Sequence, residues 1–186
     1  AMAKELIDKD PSYLMLFQYG NQANPRAHYE TTAPEIIRDL PEITHFVAGL
    51  GTGGTLMGVG RRLKEYNAKI EVIAAAPEPD DQIQGLRDLE EGFVPPILDL
   101  GMLDRRIMVG GEESFRQTAA ILRREGVFAG VSSGAVLTAA TKVAEGLDEG
   151  NIVVLFADGG WKYLSTGLWT RSYEQLKGEV EGKIWW

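Results

Sequence analysis

The rest of this chain is built around the sequence Gly51-Thr52-Gly53-Gly54-Thr55. It follows the apolar run 46–50 and precedes a helical pattern over residues 56–66. A buried strand that ends in a glycine-rich turn and leads into a helix presents free backbone N–H groups at the positive end of the helix dipole. Glycines let the backbone close around an anion without Cβ clashes, and the two threonine hydroxyls add donors.

The residues around this turn narrow the kind of anion. No lysine follows the glycines, so the turn is not a Walker-type loop, and its spacing is not the G-x-G-x-x-G dinucleotide pattern. The turn therefore predicts a site for a small phosphate on a cofactor rather than for a nucleoside triphosphate. The alternative is a glycine-rich turn with only a packing role.

Apolar runs alternate with helical patterns along the rest of the chain. The expected strands are 13–17, 44–50, 70–76, 106–109 and 151–156. The expected helices are 1–8, 34–40, 56–66, 112–125 (closed by Gly126) and 135–147, with loops over 18–32 and 77–96. This alternation predicts an α/β fold with a doubly wound, mostly parallel sheet, whose ligands bind at the carboxyl ends of the strands.

Composition excludes several classes of function. The 186 residues are 44% hydrophobic and 25% charged, which is ordinary for a globular protein. A formal charge of −8 argues against a nucleic-acid partner, and no apolar run is long enough to span a membrane. The chain has no cysteine, which is compatible with the cytoplasm. His28 and His45 lie far apart in sequence, so we expect structural roles for both and no metal site.

Several stretches of the chain match a known family in order and spacing. They are 18–25 (QYGNQANP), 49–56 (GLGTGGTL), 83–85 (IQG), 92–95 (GFVP), 130–135 (GVSSGA) and 163–166 (YLST). Together they resemble the cysteine synthase and cystathionine beta-synthase family of fold-type II pyridoxal phosphate enzymes. The resemblance implies a large domain like that of the tryptophan synthase beta subunit, with pyridoxal 5'-phosphate as cofactor.

The resemblance also implies roles for individual residues. Residues 51–55 would hold the cofactor phosphate, and Ser132 would face the pyridine nitrogen. A neutral hydroxyl there favours β-elimination and β-replacement over transamination. Gln18 would bind the substrate α-carboxylate. Read from the residues alone, Ser132 or Ser133 could instead cap a helix, and Gln18 could be a loop amide satisfied by the nearby backbone.

Arg87 departs from many sulfide-using relatives, which carry a small residue in this segment. A guanidinium facing the active site suits a dianionic leaving group, because its fork of N–H groups matches phosphate. The resemblance is therefore closest to the subgroup that uses O-phosphoserine. The alternative is a surface arginine that pairs with Asp88, Glu90 or Glu91.

Two pieces of the family pattern are absent from this sequence. They are the lysine that holds the cofactor as a Schiff base and a Ser/Thr-Ser-Gly-Asn segment, so we expect no catalytic residue in this chain. We expect a C-terminal portion of a longer enzyme, with residues 1–18 left from a smaller N-terminal domain and residues 19–186 forming the larger cofactor-binding domain.

The implied reaction is the synthesis of L-cysteine from an O-activated serine, a small-molecule amino-acid substrate. The sulfur donor is sulfide or a thiocarboxylated carrier protein, and a cytoplasmic homodimer with no nucleic-acid or membrane partner is the default. Alternatives are an O-acetylserine sulfhydrylase, a cystathionine beta-synthase, or a non-catalytic regulatory or scaffolding module.

Near the cofactor ring, Lys162 could add positive potential or be solvated. The apolar tail 182–186 is expected to pack at the active-site mouth or on a partner subunit.

Overall fold

The computed structural model describes residues 2–79, 81–90 and 92–180. The helices are α1 (Met2–Lys9), α2 (Ala23–Glu30), α3 (Thr32–Asp39), α4 (Gly54–Tyr66), α5 (Gly111–Glu125), α6 (Val131–Ala144) and α7 (Tyr173–Val180). The strands are β1 (His45–Gly49), β2 (Glu71–Pro77), β3 (Arg105–Val109) and β4 (Ile152–Val154). Short 3-10 helices span Leu100–Met102 and Gly160–Thr166.

The four strands form one parallel sheet in the order β3-β2-β1-β4. Side chains of β1 point alternately to its two faces, as a strand requires. Phe46 and Ala48 pack in a cluster with residues of α3 and α4, whereas Val47 packs in a second cluster with residues of α6. Both faces of the sheet are therefore covered by helices, which confirms the predicted α/β architecture.

Most predicted elements are present with small shifts at their ends. The strand predicted over 44–50 is β1, and the helix predicted over 112–125 is α5. As predicted, α5 ends at Gly126, which has a φ of 69° and donates its N–H to the Leu122 carbonyl. The described part of 78–96 contains neither helix nor strand, in agreement with the long irregular loop.

Three local predictions are wrong. Residues 13–17 form no strand, and Leu14 and Leu16 are 84% and 71% exposed, because no described strand lies beside them to supply a hydrogen-bond ladder. The predicted loop 18–32 contains α2, whose first turn accommodates a proline. Helix α6 begins at Val131 rather than at 135, so both serines of the GVSSGA stretch lie inside the helix.

Two further points concern the described residues. None of their helices combines the length and apolar character needed to cross a membrane. The prediction for the apolar tail 182–186 falls outside the described residues.

Candidate active site

A cavity of about 140 Å³ opens at the carboxyl end of β1, where a parallel sheet is expected to bind its ligand. All of residues 51–55 line it, and so does Ser132. The remaining lining residues are Ala48, Gly49, Gly85, Leu86, Val136, Leu155 and Ala157. The structure therefore brings together the predicted phosphate turn and the predicted ring-binding serine, which are far apart in sequence.

The turn requires glycine at several positions. Gly53, the residue before α4, has a φ of 88°, a conformation that side chains disfavour. A Cβ on Gly51 would lie 2.9 Å from the Gly85 carbonyl oxygen, and one on Gly54 would collide with the side chain of Asn24. The close approach of neighbouring segments thus explains the composition of the turn.

The turn leaves backbone donors free. Among the described residues, the N–H groups of Gly51, Thr52, Gly53 and Thr55 have no protein acceptor, whereas that of Gly54 donates to the Thr52 hydroxyl at 3.2 Å. These groups lie at the N-terminal end of α4, where the helix dipole is positive. No lining residue carries a charged side chain. The cavity can therefore hold an anion with peptide dipoles and hydroxyl groups alone.

Helix α2 supports both threonines of the turn. The Asn24 Nδ2 atom donates to the Thr52 Oγ1 atom at 3.1 Å and to the Gln18 carbonyl oxygen at 2.9 Å. The His28 Nε2 atom lies 3.2 Å from the Thr55 Oγ1 atom, so this histidine has a structural role that reaches the turn. Sequence reasoning missed the support that both residues give, although their i, i+4 spacing places them on one helix face.

Ser132 occupies the first turn of α6 and is 8% exposed. Gly130 occupies the N-cap position of this helix, so the interpretation of Ser132 or Ser133 as the N-cap is wrong. A Cβ on Gly85 would lie 3.8 Å from the Ser132 hydroxyl, which shows how closely this hydroxyl faces the opposite wall of the cavity. No described residue forms a hydrogen bond with it, so it is available to a ligand.

Arg87 lies beside the cavity rather than in its lining. Its backbone N–H donates to the Leu50 carbonyl at 2.7 Å, directly before the phosphate turn. Its guanidinium carbon lies 5.1 Å from the ring centroid of Tyr19 and 5.0 Å from that of Phe93, and its Nη2 atom donates to the Tyr19 hydroxyl at 3.3 Å. The two rings are nearly perpendicular, at 87°, so Arg87 occupies the corner between them.

The charge of Arg87 is not balanced by the described carboxylates that follow it in sequence. Asp88 accepts the backbone N–H of Glu90, and the Glu90 carboxylate pairs with Arg106 at 3.2 Å. Glu91 lies outside the described residues. Within the described part of the chain, Arg87 therefore forms cation–π contacts and no ion pair.

Gln18 also lies outside the lining, next to Tyr19, and its side chain is exposed. Its carbonyl accepts the hydrogen bond from Asn24, and its side-chain amide has no hydrogen-bond partner among the described residues. The alternative that nearby backbone groups satisfy the Gln18 side-chain amide is therefore wrong. Tyr19, the residue that follows Gln18, contacts the Arg87 guanidinium.

The loop after β4 is held by Asp158. The Tyr163 hydroxyl donates to its carboxylate at 2.8 Å, and the Lys162 ammonium lies 3.4 Å from it. Burial, with the neighbouring Asp158, raises the pKa of Tyr163 well above its usual range, so this phenol stays protonated. Lys162 is thus engaged in an ion pair. Among the described residues, no group of three or more His, Cys, Asp or Glu side chains is placed to hold a metal ion.

Comparisons with known proteins agree with this geometry. A cysteine synthase from Aquifex aeolicus is 44% identical over 174 residues, covering 90% of this chain and 53% of the relative. Cysteine synthase A of Escherichia coli (strain K12) is 39% identical over 190 residues, covering 89% and 57%. A cystathionine beta-synthase from Apis mellifera is 36% identical over 204 residues, covering 100% and 40%. The chain spans about half the length of these relatives.

A solved structure gives the same result in three dimensions. The crystal structure described as Cysteine Synthase (OASS) from Entamoeba histolytica has a TM-score of 0.84 and 31% sequence identity, covering 92% of this chain and 54% of that chain. The family described as "Pyridoxal-phosphate dependent enzyme" matches residues 1–158. The chain therefore belongs to the pyridoxal-phosphate dependent enzyme family, with the fold-type II architecture of cysteine synthase.

Proposed function

We propose that this chain is the C-terminal, cofactor-binding part of a longer enzyme that makes L-cysteine by β-replacement, with O-phosphoserine as the favoured substrate. The similarity to cysteine synthases over about 90% of the chain supports the reaction. The contacts of Arg87 support the choice of O-phosphoserine as substrate. The chain spans 53% and 57% of these relatives, and we assign the cofactor-holding lysine to the part that it does not span.

The residues present fit the cofactor. The free N–H groups at the start of α4 offer a site for its phosphate, and the Ser132 hydroxyl offers a neutral partner to its ring nitrogen. When bound, pyridoxal phosphate supplies an electron sink that stabilises negative charge at the substrate α-carbon. In this arrangement residues 51–55 anchor the phosphate, Ser132 keeps the ring nitrogen from gaining a full positive charge, and Gln18 donates to the substrate carboxylate.

A single observation carries the choice of substrate. Arg87 is a cation with no carboxylate partner among the described residues, and its backbone N–H donates to the carbonyl of Leu50, which lies between β1 and the phosphate turn. One of its five N–H groups is used by the Tyr19 hydroxyl, which leaves the others for an incoming dianion. A phosphate leaving group carries such a charge, and an acetyl group does not.

The test compares two substrates in the full-length enzyme. We expect Arg87→Ala to lower kcat/KM for O-phosphoserine by roughly 10- to 150-fold, since hydrogen bonds to charged groups contribute about 1.5–3 kcal/mol. Activity with O-acetylserine should change little, and Arg87→Lys should restore only part of the loss because it lacks the planar fork. Equal effects on both substrates would contradict the proposed selectivity.

Measurements of substrate use also test the alternative assignments. An O-acetylserine sulfhydrylase would prefer O-acetylserine, and a cystathionine beta-synthase would form cystathionine in place of cysteine. A non-catalytic module would bind the cofactor and turn over none of these substrates. A homodimer in the cytoplasm, and sulfide or a thiocarboxylated carrier protein as sulfur donor, complete the proposal.

A further inference from the structure

We infer that Asn24 is a positioning residue with two tasks, which depend on the proposed function. It forces the Thr52 hydroxyl to donate to the bound phosphate, and it ties the phosphate turn to the loop that carries Gln18. The cofactor and substrate sites are then coupled through one side-chain amide.

The amide of Asn24 has two N–H groups, and both are used. One donates to the Gln18 carbonyl at 2.9 Å and the other to the Thr52 hydroxyl at 3.1 Å. The Gln18 carbonyl can only accept, so the opposite orientation of the amide would place two acceptors against each other. A Cβ on Gly54 would collide with the Asn24 side-chain oxygen, which explains why residue 54 has no side chain.

The Thr52 hydroxyl is left with a single free function. A hydroxyl can accept two hydrogen bonds and donate one. The Thr52 Oγ1 atom accepts from the Asn24 Nδ2 atom at 3.1 Å and from the Gly54 N–H at 3.2 Å. Both acceptor positions are therefore filled, and only the O–H hydrogen remains. Thr52 lines the cavity and its hydroxyl donates to no described residue, so that hydrogen is free for an acceptor in the cavity such as a phosphate oxygen.

Asn24 also spans two segments that serve different ligands. Thr52 belongs to the turn that holds the phosphate, whereas Gln18 belongs to the loop that holds the substrate carboxylate. Removal of the amide would free both segments at once. A residue that only stabilised α2 would not link the cofactor affinity to the hydroxyl of Thr52.

The experiment uses the full-length protein stripped of cofactor and titrated with pyridoxal phosphate by absorbance. Asn24→Ala removes the amide, and Asn24→Asp keeps its shape but has no donor. We expect each to weaken cofactor binding by on the order of tenfold and to raise KM for the amino-acid substrate. Asn21→Ala is the matched control, because the Asn21 side-chain amide bonds only Leu16 and Ala23 among the described residues. It should leave the cofactor dissociation constant unchanged.

A double-mutant cycle separates positioning from general stability. In a Thr52→Val background, where the hydroxyl is gone, Asn24→Ala should cause no further loss of cofactor affinity. Wild-type affinity in Asn24→Ala, or losses that simply add in the double variant, would overturn the inference. A protein that binds the cofactor and shows this coupling but makes no cysteine would overturn the proposed function alone. Failure of the wild-type protein to bind pyridoxal phosphate would overturn both.

Discussion

The Nε2 atom of His28 lies 3.2 Å from the Oγ1 atom of Thr55, and its Nδ1 atom lies 3.1 Å from the Oγ1 atom of Thr32. The imidazole thus joins the start of α3 to the first turn of α4. Both neighbours are hydroxyl groups, which can donate to a ring nitrogen or accept from it. A neutral ring therefore satisfies both contacts, whereas a protonated ring would have to be charged in a half-buried position.

The stability of the fold should depend on the protonation of His28. Burial lowers the pKa of His28 below its usual value of about 6.5. In the unfolded chain the ring gains a proton at higher pH than in the folded protein. The contribution of neutral His28 is therefore complete above about pH 6.5 and falls as the pH drops through the unfolded and then the folded pKa. Below both values the loss is complete.

Urea unfolding of wild type and His28→Gln at pH 7.5 and pH 5.5 measures this dependence. Glutamine can bond both hydroxyls but does not titrate, so the free energy of unfolding should fall less on acidification in the variant than in the wild type. Carboxylates elsewhere contribute equally to both proteins and cancel in the comparison. The same fall in both would show that His28 does not titrate differently in the two states.

The two aromatic rings around Arg87, those of Tyr19 and Phe93, should strengthen its binding of the phosphate group of O-phosphoserine. Tyr19→Phe removes the hydroxyl that accepts the 3.3 Å hydrogen bond from Arg87 but keeps the ring. Phe93→Leu removes the second ring, at 5.0 Å. Since each contact is worth about 0.5–1.5 kcal/mol, we expect KM for O-phosphoserine to rise roughly two- to tenfold in each variant.

Steady-state kinetics with O-phosphoserine and O-acetylserine provide the check on this corner. KM for O-acetylserine should stay near the wild-type value, because its acetyl leaving group carries no charge for Arg87 to bind. If Arg87→Ala is selective for O-phosphoserine while both aromatic variants are silent, the corner only packs and does not orient the guanidinium.

A comparison of two glycines with similar φ angles, Gly53 and Gly92, separates the effect of backbone strain from the effect on cofactor binding. Gly53 has a φ of 88° and lines the cavity, whereas Gly92 has a φ of 84° and, outside its own chain neighbours, no described atom within 4 Å of the point that a Cβ would occupy. Alanine at either position should lower the free energy of unfolding by about 1–2 kcal/mol through the left-handed conformation. Gly53→Ala adds a close contact, because its Cβ would lie 3.0 Å from the Leu98 side chain. Only Gly53→Ala should also weaken pyridoxal phosphate binding, as measured by titration. Equal affinity in both variants would mean that the turn does not hold the phosphate.

The sequence predicts the phosphate turn because its strand, glycines and helix are contiguous, so the local pattern contains the whole unit. It does not predict the support from α2. Asn24 and Thr52 are separated by 28 positions, and a short polar helix that contains Pro25 has no clear apolar stripe. Residues 13–17 show the reverse error, since an apolar run indicates a strand but not whether a neighbouring strand is available for pairing.

Ser132 and Ser133 differ in what a substitution should do. Ser132 lines the cavity, whereas the Ser133 hydroxyl is buried without a hydrogen-bond partner among the described residues. A carboxylate in Ser132→Asp would favour a proton on the pyridine nitrogen and deepen the electron sink, which favours transamination over β-replacement. In the full-length enzyme we expect slower cysteine formation with cofactor affinity retained. Ser133→Ala, the neighbouring control, should keep the rate. Unchanged cysteine synthesis in Ser132→Asp would show that Ser132 does not face the pyridine nitrogen.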